Sequence, residues 1–243
     1  MSHLPDHLGQ LTFFLTRPAP CPYLQGQVEQ KIFTRLSGDT KSDFFLNSSM
    51  NQHGFRRSQE MIYRPACPAC MACVPVRINV AAFVPDRRLR RIARKNADLK
   101  SDFLPVAAAA KFHSLFDRYQ QTRHGDSDMA AMNRSEFLSM MQDGGENASL
   151  LTLTDGEEKV IGVMLLDRLH NGVSAVYSYY EPTHEKRSLG SELILRLVNE
   201  ALAQSLPYVY LGYWIRDSRK MSYKGSFPSL ERLGPNGWEA FQP

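Results

Sequence analysis

Along the second half of the chain the spacing of apolar residues changes from helical to alternating and back. Phe112, Leu115, Phe116 and Tyr119 recur at three- and four-residue intervals, which predicts one amphipathic helix. Asn133 followed by Glu136 is a capping-box pair, and it opens a second short helix that turns Phe137, Met140 and Met141 inward. The period then shortens. Residues 148–154, 159–169 and 173–180 read as strands joined by turns at Asp155-Gly156 and Asn171-Gly172. Leu189, Leu193, Ile194, Leu197, Val198, Ala201 and Leu202 return to helical spacing, with Ser188 as the expected cap and Pro207 barring continuation. Residues 208–215 form a further strand. Helix, helix, strand meander, helix and strand in this order require a crossover at the last step, so the sheet is mixed.

The first half is harder to parse. Residues 74–84 read as a strand with Pro75 at its start. Asp86 can cap a helix running from Arg87 towards Leu99, whose apolar positions are Leu89, Ile92 and Ala93. The other face is basic: Arg87, Arg88, Arg90, Arg91, Arg94 and Lys95. Pro105 and a change in charge place a boundary near residues 100–106. The expected fold is α+β: a C-terminal mixed sheet flanked by helices (105–243), and a smaller cysteine-containing N-terminal α/β domain (1–104).

Charge sharpens this division. The 243 residues carry a formal net charge of +4. Residues 1–104 hold 15 Lys and Arg against 8 Asp and Glu, and the remainder 14 against 17, so +7 and −3 make up the total. The first half therefore has the better claim to an anionic partner. No apolar run is long enough to span a bilayer, and residues 1–10 show no secretory leader. A cytosolic location follows as the expectation, in which Cys21, Cys67, Cys70 and Cys73 are reduced thiols, metal ligands or redox groups rather than structural disulfides. There is no Gly-x-x-x-x-Gly-Lys-Ser/Thr loop for a nucleoside triphosphate.

The order of elements in the second half resembles the acyltransferase fold of the N-acetyltransferase superfamily. That resemblance implies that strands 173–180 and 208–215 splay apart and that the substrates meet in the wedge. It also implies a pyrophosphate-binding loop at the start of the intervening helix. Here that loop reads Arg187-Ser188-Leu189-Gly190-Ser191-Glu192, and an anionic Glu192 stands where a small residue is usual. Acetyl-CoA binding is not expected. The strands beside the wedge are aromatic. Tyr177 and Tyr179 share one face, and Tyr213 and Trp214 end the other strand. Packing alone can explain aromatic residues in strands, so Tyr177 and Tyr179 divide evenly between core and site. The polar segment 217–224 contributes Lys220, Tyr223 and Lys224, cations and a ring suited to an unstacked nucleotide.

The whole pattern resembles the N-end aminoacyl-transferase family, and within it the short bacterial members that donate leucine. The likeness rests on Cys21-Pro22-Tyr23-Leu24, Gly54-Phe55-Arg56-Arg57-Ser58, Tyr63-Arg64-Pro65 with the cysteines behind it, and Pro75-Val76-Arg77. It continues through Ser188-Leu189-Gly190, Tyr210-Leu211-Gly212-Tyr213-Trp214-Ile215 and Lys220-Met221-Ser222-Tyr223-Lys224. It implies transfer of an aminoacyl group from aminoacyl-tRNA, here Leu-tRNA, to the α-amine of proteins with N-terminal Asp or Glu, marking them for degradation by the N-end rule. The ester is already activated, so proximity and mild base assistance suffice. Backbone amides or a tyrosine hydroxyl would hold the oxyanion, with Tyr177, Tyr179 and Tyr213 the catalytic candidates. Arg56, Arg57, Arg64 and Arg77 are the candidates for gripping the acceptor's carboxylate. Arg87, Arg88 and Arg91, with Lys220, Tyr223 and Lys224, are those for tRNA. No cofactor is required. Zinc or an iron–sulfur cluster at Cys21, Cys67, Cys70 and Cys73 is chemically open but less favoured than reduced thiols, because two Cys-x-x-Cys gaps share Cys70. The competing readings are arginyl transfer, an acetyl-CoA-dependent N-acetyltransferase, and a zinc-dependent RNA-binding module.

Overall fold

The computed structural model describes residues 11–123, 125 and 128–243. Residues 1–10, in which no leader is read, lie outside that range. The chain begins with β1 (Phe14–Leu15) and a short ladder of β2 (Ala19–Pro20) with β3 (Val28–Glu29). Next come β4 (Lys31–Arg35), helix α1 (Thr40–Gln52), β5 (Arg56–Ser58) and β6 (Met61–Pro65). Strands β1, β4, β6 and β5 form a small antiparallel sheet in that order. Leu46 and Met50 of α1 close with Phe55 and Ile62 into a core of their own.

Eight further strands make one large sheet. They are β7 (Val74–Asn79), β8 (Lys100–Pro105), β9 (Ala148–Thr154), β10 (Val160–Leu169), β11 (Gly172–Tyr180), β12 (Tyr208–Trp214), β13 (Leu230–Gly234) and β14 (Gly237–Ala240). Their spatial order is β14-β13-β7-β12-β11-β10-β9-β8. Every pair is antiparallel except β11–β12, the parallel step that the crossover required. The sheet draws strands from both sides of the boundary expected near residue 104, since β7 lies between β13 and β12. Helices α2 (Arg87–Lys95) and α5 (Leu189–Ala203) join one core, and α3 (His113–Arg123) and α4 (Arg134–Gln142) join another. Alternation along β9 serves both: Leu151 and Leu153 pack with the first core and Leu150 with the second.

Several local expectations shift. The strand expected over 74–84 leaves the sheet after Asn79, and the Val80 carbonyl accepts from the Phe83 N–H in a turn. Helix α2 ends at Lys95 rather than near Leu99, with Asn96 as its C-cap, and Ala93 is exposed. Ser188 precedes α5 but does not cap it with its side chain. It lies in the left-handed region (φ +54°) because its N–H closes the preceding turn onto Glu185. Leu202, expected inward, is 60% exposed, while Leu195 is buried. The Asn133–Glu136 capping box and the bounds of β9 are as expected.

The small sheet is fastened to the large one by a buried ion pair. Arg57 of β5 grips Asp167 of β10 with both prongs, Nε to Oδ2 at 2.8 Å and Nη2 to Oδ1 at 2.6 Å, and both side chains are 2% exposed. Asn47 of α1 donates to the same carboxylate at 3.2 Å. A charge pair this buried is held by geometry and by satisfaction of every polar atom, and removing one partner strands the other. Arg57→Ala and Asp167→Ala should each cost about 3–5 kcal/mol in urea unfolding. A cost of under about 1 kcal/mol for either would show that the pair does not carry the docking.

Candidate active site

Strands β11 and β12 pair over Gly172–Ser174 and Tyr208–Tyr210, and then part. Beyond that point β11 continues to Tyr180 and β12 to Trp214 with no ladder between them. Residues 175–178 of β11 are accordingly half-buried. The divergence has a local cause in β12. Its register with β7 slips between Tyr210 and Gly212, and Gly212 adopts φ +82°, a conformation that glycine takes without strain.

Arg56 sits at the fork. Its Nη2 donates at 3.3 Å both to the Ala175 carbonyl on β11 and to the Tyr210 carbonyl on β12. These carbonyls lie where the two strands separate. The guanidinium therefore replaces the ladder there and satisfies groups that separation would otherwise strand. Nη1 donates to Asn51 Oδ1 at 2.9 Å, and the residue is 7% exposed. A Cβ on Gly212 would come within 3.2 Å of Nη2, so the glycine also makes room. Burial lowers the pKa of Arg56, and among the described residues no carboxylate lies within ion-pair distance of it.

The four arginines proposed for a carboxylate thus separate. Arg57 is committed to Asp167. Arg77 is also committed: Nε donates to Glu231 at 2.7 Å, Nη1 to the Tyr210 hydroxyl at 3.2 Å, and its guanidinium carbon lies 3.4 Å from the Tyr208 ring centroid and 4.3 Å from that of Trp238. Neither has a charge to spare. Among the described residues Arg56 remains without a carboxylate, as does Arg64, which is exposed and stands 5.2 Å from the Phe55 ring.

The tyrosines separate too. Tyr179 is fully buried against Phe116 and Phe137, at 5.5 and 6.2 Å between ring centroids, and its hydroxyl has no partner among the described residues. Its packing is that of a core residue. Tyr177 shares that face but is only half-buried, and its hydroxyl accepts from Gln120 Nε2 at 2.6 Å. The Tyr213 hydroxyl donates to the Gly54 carbonyl at 2.9 Å, which ties β12 to the turn between α1 and β5. Burial raises the pKa of all three, so none ionises near neutrality.

Lys224, expected to face phosphate in solvent, points inward. Its Nζ donates to the Tyr213 carbonyl at 3.0 Å and approaches the Met221 sulfur at 3.6 Å, and the residue is 9% exposed. Burial lowers its pKa to about 7, helped by the nearby Arg56 charge and opposed by Cys73. Lys220 and Tyr223 face outward as expected. Among the α2 cations, Arg87 and Arg91 are exposed. Arg88 donates at 2.9 Å to both the carbonyl and Oγ of Ser226, which joins the basic helix to the turn carrying Tyr223 and Lys224.

Cys21, Cys67, Cys70 and Cys73 do converge. They line one pocket with Tyr23, Lys31, Tyr63 and Tyr213. All four are free thiols, and burial together with the other cysteines pushes Cys73 up to about 12. Among the described residues, no three His, Cys, Asp or Glu side chains are arranged to hold a metal ion. At the head of α5, Glu192 is turned back instead of standing in an anion's path. Its Oε1 accepts from Arg196 Nε at 2.7 Å, and Arg196 also donates to the Asn96 and Leu99 carbonyls.

The sequence pattern does not single out Asn51 or Asp167. Asp167 has a legible signal all the same: an acid at an inward position of an apolar strand calls for a buried cation.

This architecture has known relatives. The chain belongs to the arginine-tRNA-protein transferase family, whose N-terminal model matches residues 19–91 and whose C-terminal model matches residues 111–234. An aspartate/glutamate leucyltransferase of Paramagnetospirillum magneticum is 47% identical over 231 residues, covering 95% of this chain and 94% of the relative. One from Maricaulis maris is 44% identical over 239 residues, covering 98% and 93%. A crystal structure of FemX is similar at 9% identity and a TM-score of 0.47, covering 86% of this chain and 82% of that one.

A Cys73 thiol with a pKa near 12 stays protonated across the physiological range. Its alkylation by iodoacetamide at pH 8, followed by peptide mass spectrometry, should run about tenfold or more below that of a free cysteine. Modification at the free rate would mean that the thiol is ionised and the pocket arranged otherwise.

Proposed function

We propose that this protein is an aminoacyltransferase that moves leucine from Leu-tRNA to the α-amino group of proteins beginning with Asp or Glu. The observation that carries this reading is near-full-length similarity to curated leucyltransferases, joined to a fork held open by a buried guanidinium that lacks a carboxylate. An ester-linked leucine needs no further activation. Its carbonyl would enter the wedge between β11 and β12, where backbone N–H groups freed from the ladder suit a developing oxyanion. This is the wedge of an N-acetyltransferase-type fold. The larger C-terminal part, 105–243, would hold the acyl group, and the cysteine-containing part, 1–104, the acceptor.

Arg56 and Arg64 are the arginines we assign to the acceptor's acidic side chain, because Arg57 and Arg77 are already neutralised. For the donor we assign Arg87, Arg88 and Arg91 of α2 with Lys220 and Tyr223, which the Arg88–Ser226 hydrogen bonds link into one stretch of structure. Among the described residues no helix is long and apolar enough to cross a membrane. A cytosolic protein that marks others for N-end-rule degradation is consistent with these features. Arginyl transfer uses the same acceptors and differs in the donor alone.

The decisive assay follows labelled leucine from Leu-tRNA onto peptides beginning with Asp, Glu, Arg or Ala, with Arg-tRNA and acetyl-CoA as rival donors. Leucine on the Asp and Glu peptides alone is the expected result. Arginine there would change the donor, and acetylation alone would sink the reading. Arg64→Met should raise the KM for acidic peptides about tenfold with little change in tRNA affinity, as removal of one charge-assisted hydrogen bond does. Reversing Arg87 and Arg91 to Glu should weaken tRNA binding and flatten its dependence on salt. Every phosphate left without its cation lowers the log–log slope by about 0.7–0.9. An unchanged slope would remove α2 from the interface.

A further inference from the structure

We propose that the Nζ of Lys224 is the proton relay of the transfer step, taking a proton from the attacking α-amine and returning it to the ribose oxygen that leaves. This rests on the aminoacyl-transfer reading given above. The placement comes first. Lys224 lies on the turn after β12, and its Nζ is anchored on the carbonyl of Tyr213, in the part of β12 beyond its last pairing with β11. The charge of Arg56, which sits at the fork itself, adds to burial in lowering the pKa of this amine.

The second point is what surrounds it. From β5 the nearby charge is the Arg56 guanidinium. From the segment before β7 it is Cys73, whose thiol remains protonated. From its own turn comes Met221 and from β12 the Tyr213 carbonyl, neither of which ionises. Among the described residues no carboxylate is within ion-pair distance of Nζ. A buried ammonium beside a buried guanidinium, with no counter-ion, favours the neutral amine. In that form one N–H can stay on Tyr213 while the lone pair is free to accept.

The third point is elimination. Around the fork the Tyr63, Tyr177 and Tyr213 hydroxyls are driven towards the protonated form, as is Cys73. Asp217 lies exposed on the loop beyond β12. Lys224 alone among these exchanges its proton near neutrality, where a relay is most effective. The chemistry balances. The α-nitrogen forms a bond to the leucyl carbonyl carbon and becomes cationic, and Nζ takes its extra proton. The bond from that carbon to the terminal ribose oxygen breaks, and Nζ protonates the leaving oxygen. The products are the leucyl amide and tRNA with a free hydroxyl.

Two measurements test this. The first is single-turnover transfer from bound Leu-tRNA to a saturating Asp peptide, from pH 5.5 to 9, for wild type and Lys224→Arg. The arginine keeps the charge but cannot give up its proton. The expected result is a rate about 100-fold or more lower with an ascending limb near pH 7 removed, and Leu-tRNA affinity and peptide KM within about threefold. Transfer by Lys224→Arg at near wild-type rate, or an unmoved limb, would overturn the relay while leaving leucyl transfer intact. Absence of transfer by wild type would remove the reading and the relay together. The second needs no variant to function. In wild type labelled with 13C at lysine Cε, the resonance missing from Lys224→Arg should titrate near pH 7. A midpoint near the ordinary lysine value of about 10.4 would overturn the proposal.

Discussion

Two neighbouring arginines on a three-residue strand hold this molecule together. Successive side chains of a strand point to opposite faces, so Arg56 and Arg57 of β5 leave in different directions. Arg57 takes the Asp167 carboxylate on β10, and Arg56 takes the carbonyls where β11 and β12 part. The two ends are joined through α1: Arg56 donates to Asn51, Asn51 to Asn47, and Asn47 to Asp167. This closed circuit of buried polar groups fixes the small sheet on the large one and props the fork at the same time. A buried network of this kind is stable only when complete, so the position of the N-terminal unit and the shape of the wedge depend on each other.

The circuit also distributes charge. Arg57 and Arg77 each have a carboxylate partner that balances their charge. Among the described residues Arg56 and Lys224 are buried without one. Burying a guanidinium and an amine in this way costs stability, because the guanidinium loses hydration that no counter-ion restores and the amine gives up its charge to stay buried. Structural pairing explains the first two arginines and fails to explain Arg56 and Lys224. An anionic or electron-rich group arriving in the wedge would supply what they lack, so the strain is concentrated where a substrate would relieve it.

Periodicity carried most of the second half of the fold. The capping box at Asn133, the Asn171-Gly172 hairpin and the helical face from Leu189 to Ala201 are local signals, and the elements they define appear where expected. The splay of β11 from β12 was legible only through family resemblance, since no local rule marks the end of a ladder. The first half resisted for a physical reason. Its strands are two to six residues long, too short to show a period, and β7 finds its partners β12 and β13 more than a hundred residues downstream. Long-range pairing of that kind leaves no trace in local spacing.

Among the site residues the departures share one cause. Residue type alone assigns Arg57, Arg77, Tyr179 and Lys224 to a ligand, and each is buried in the folded chain. Residue type reports what a side chain can do, whereas its partners decide what it is left free to do. Arg56 and Arg57 are adjacent and chemically identical, yet one is committed to a carboxylate and the other is not. The difference lies in which face of β5 each occupies, and in the single acid on β10 that one of those faces meets. Lys224 makes the same point in reverse. A lysine in a polar loop reads as a solvated phosphate ligand, but the turn after β12 folds it onto the Tyr213 carbonyl beside Arg56. Burial there removes the permanent charge that holding a phosphate requires and leaves an amine that can trade a proton.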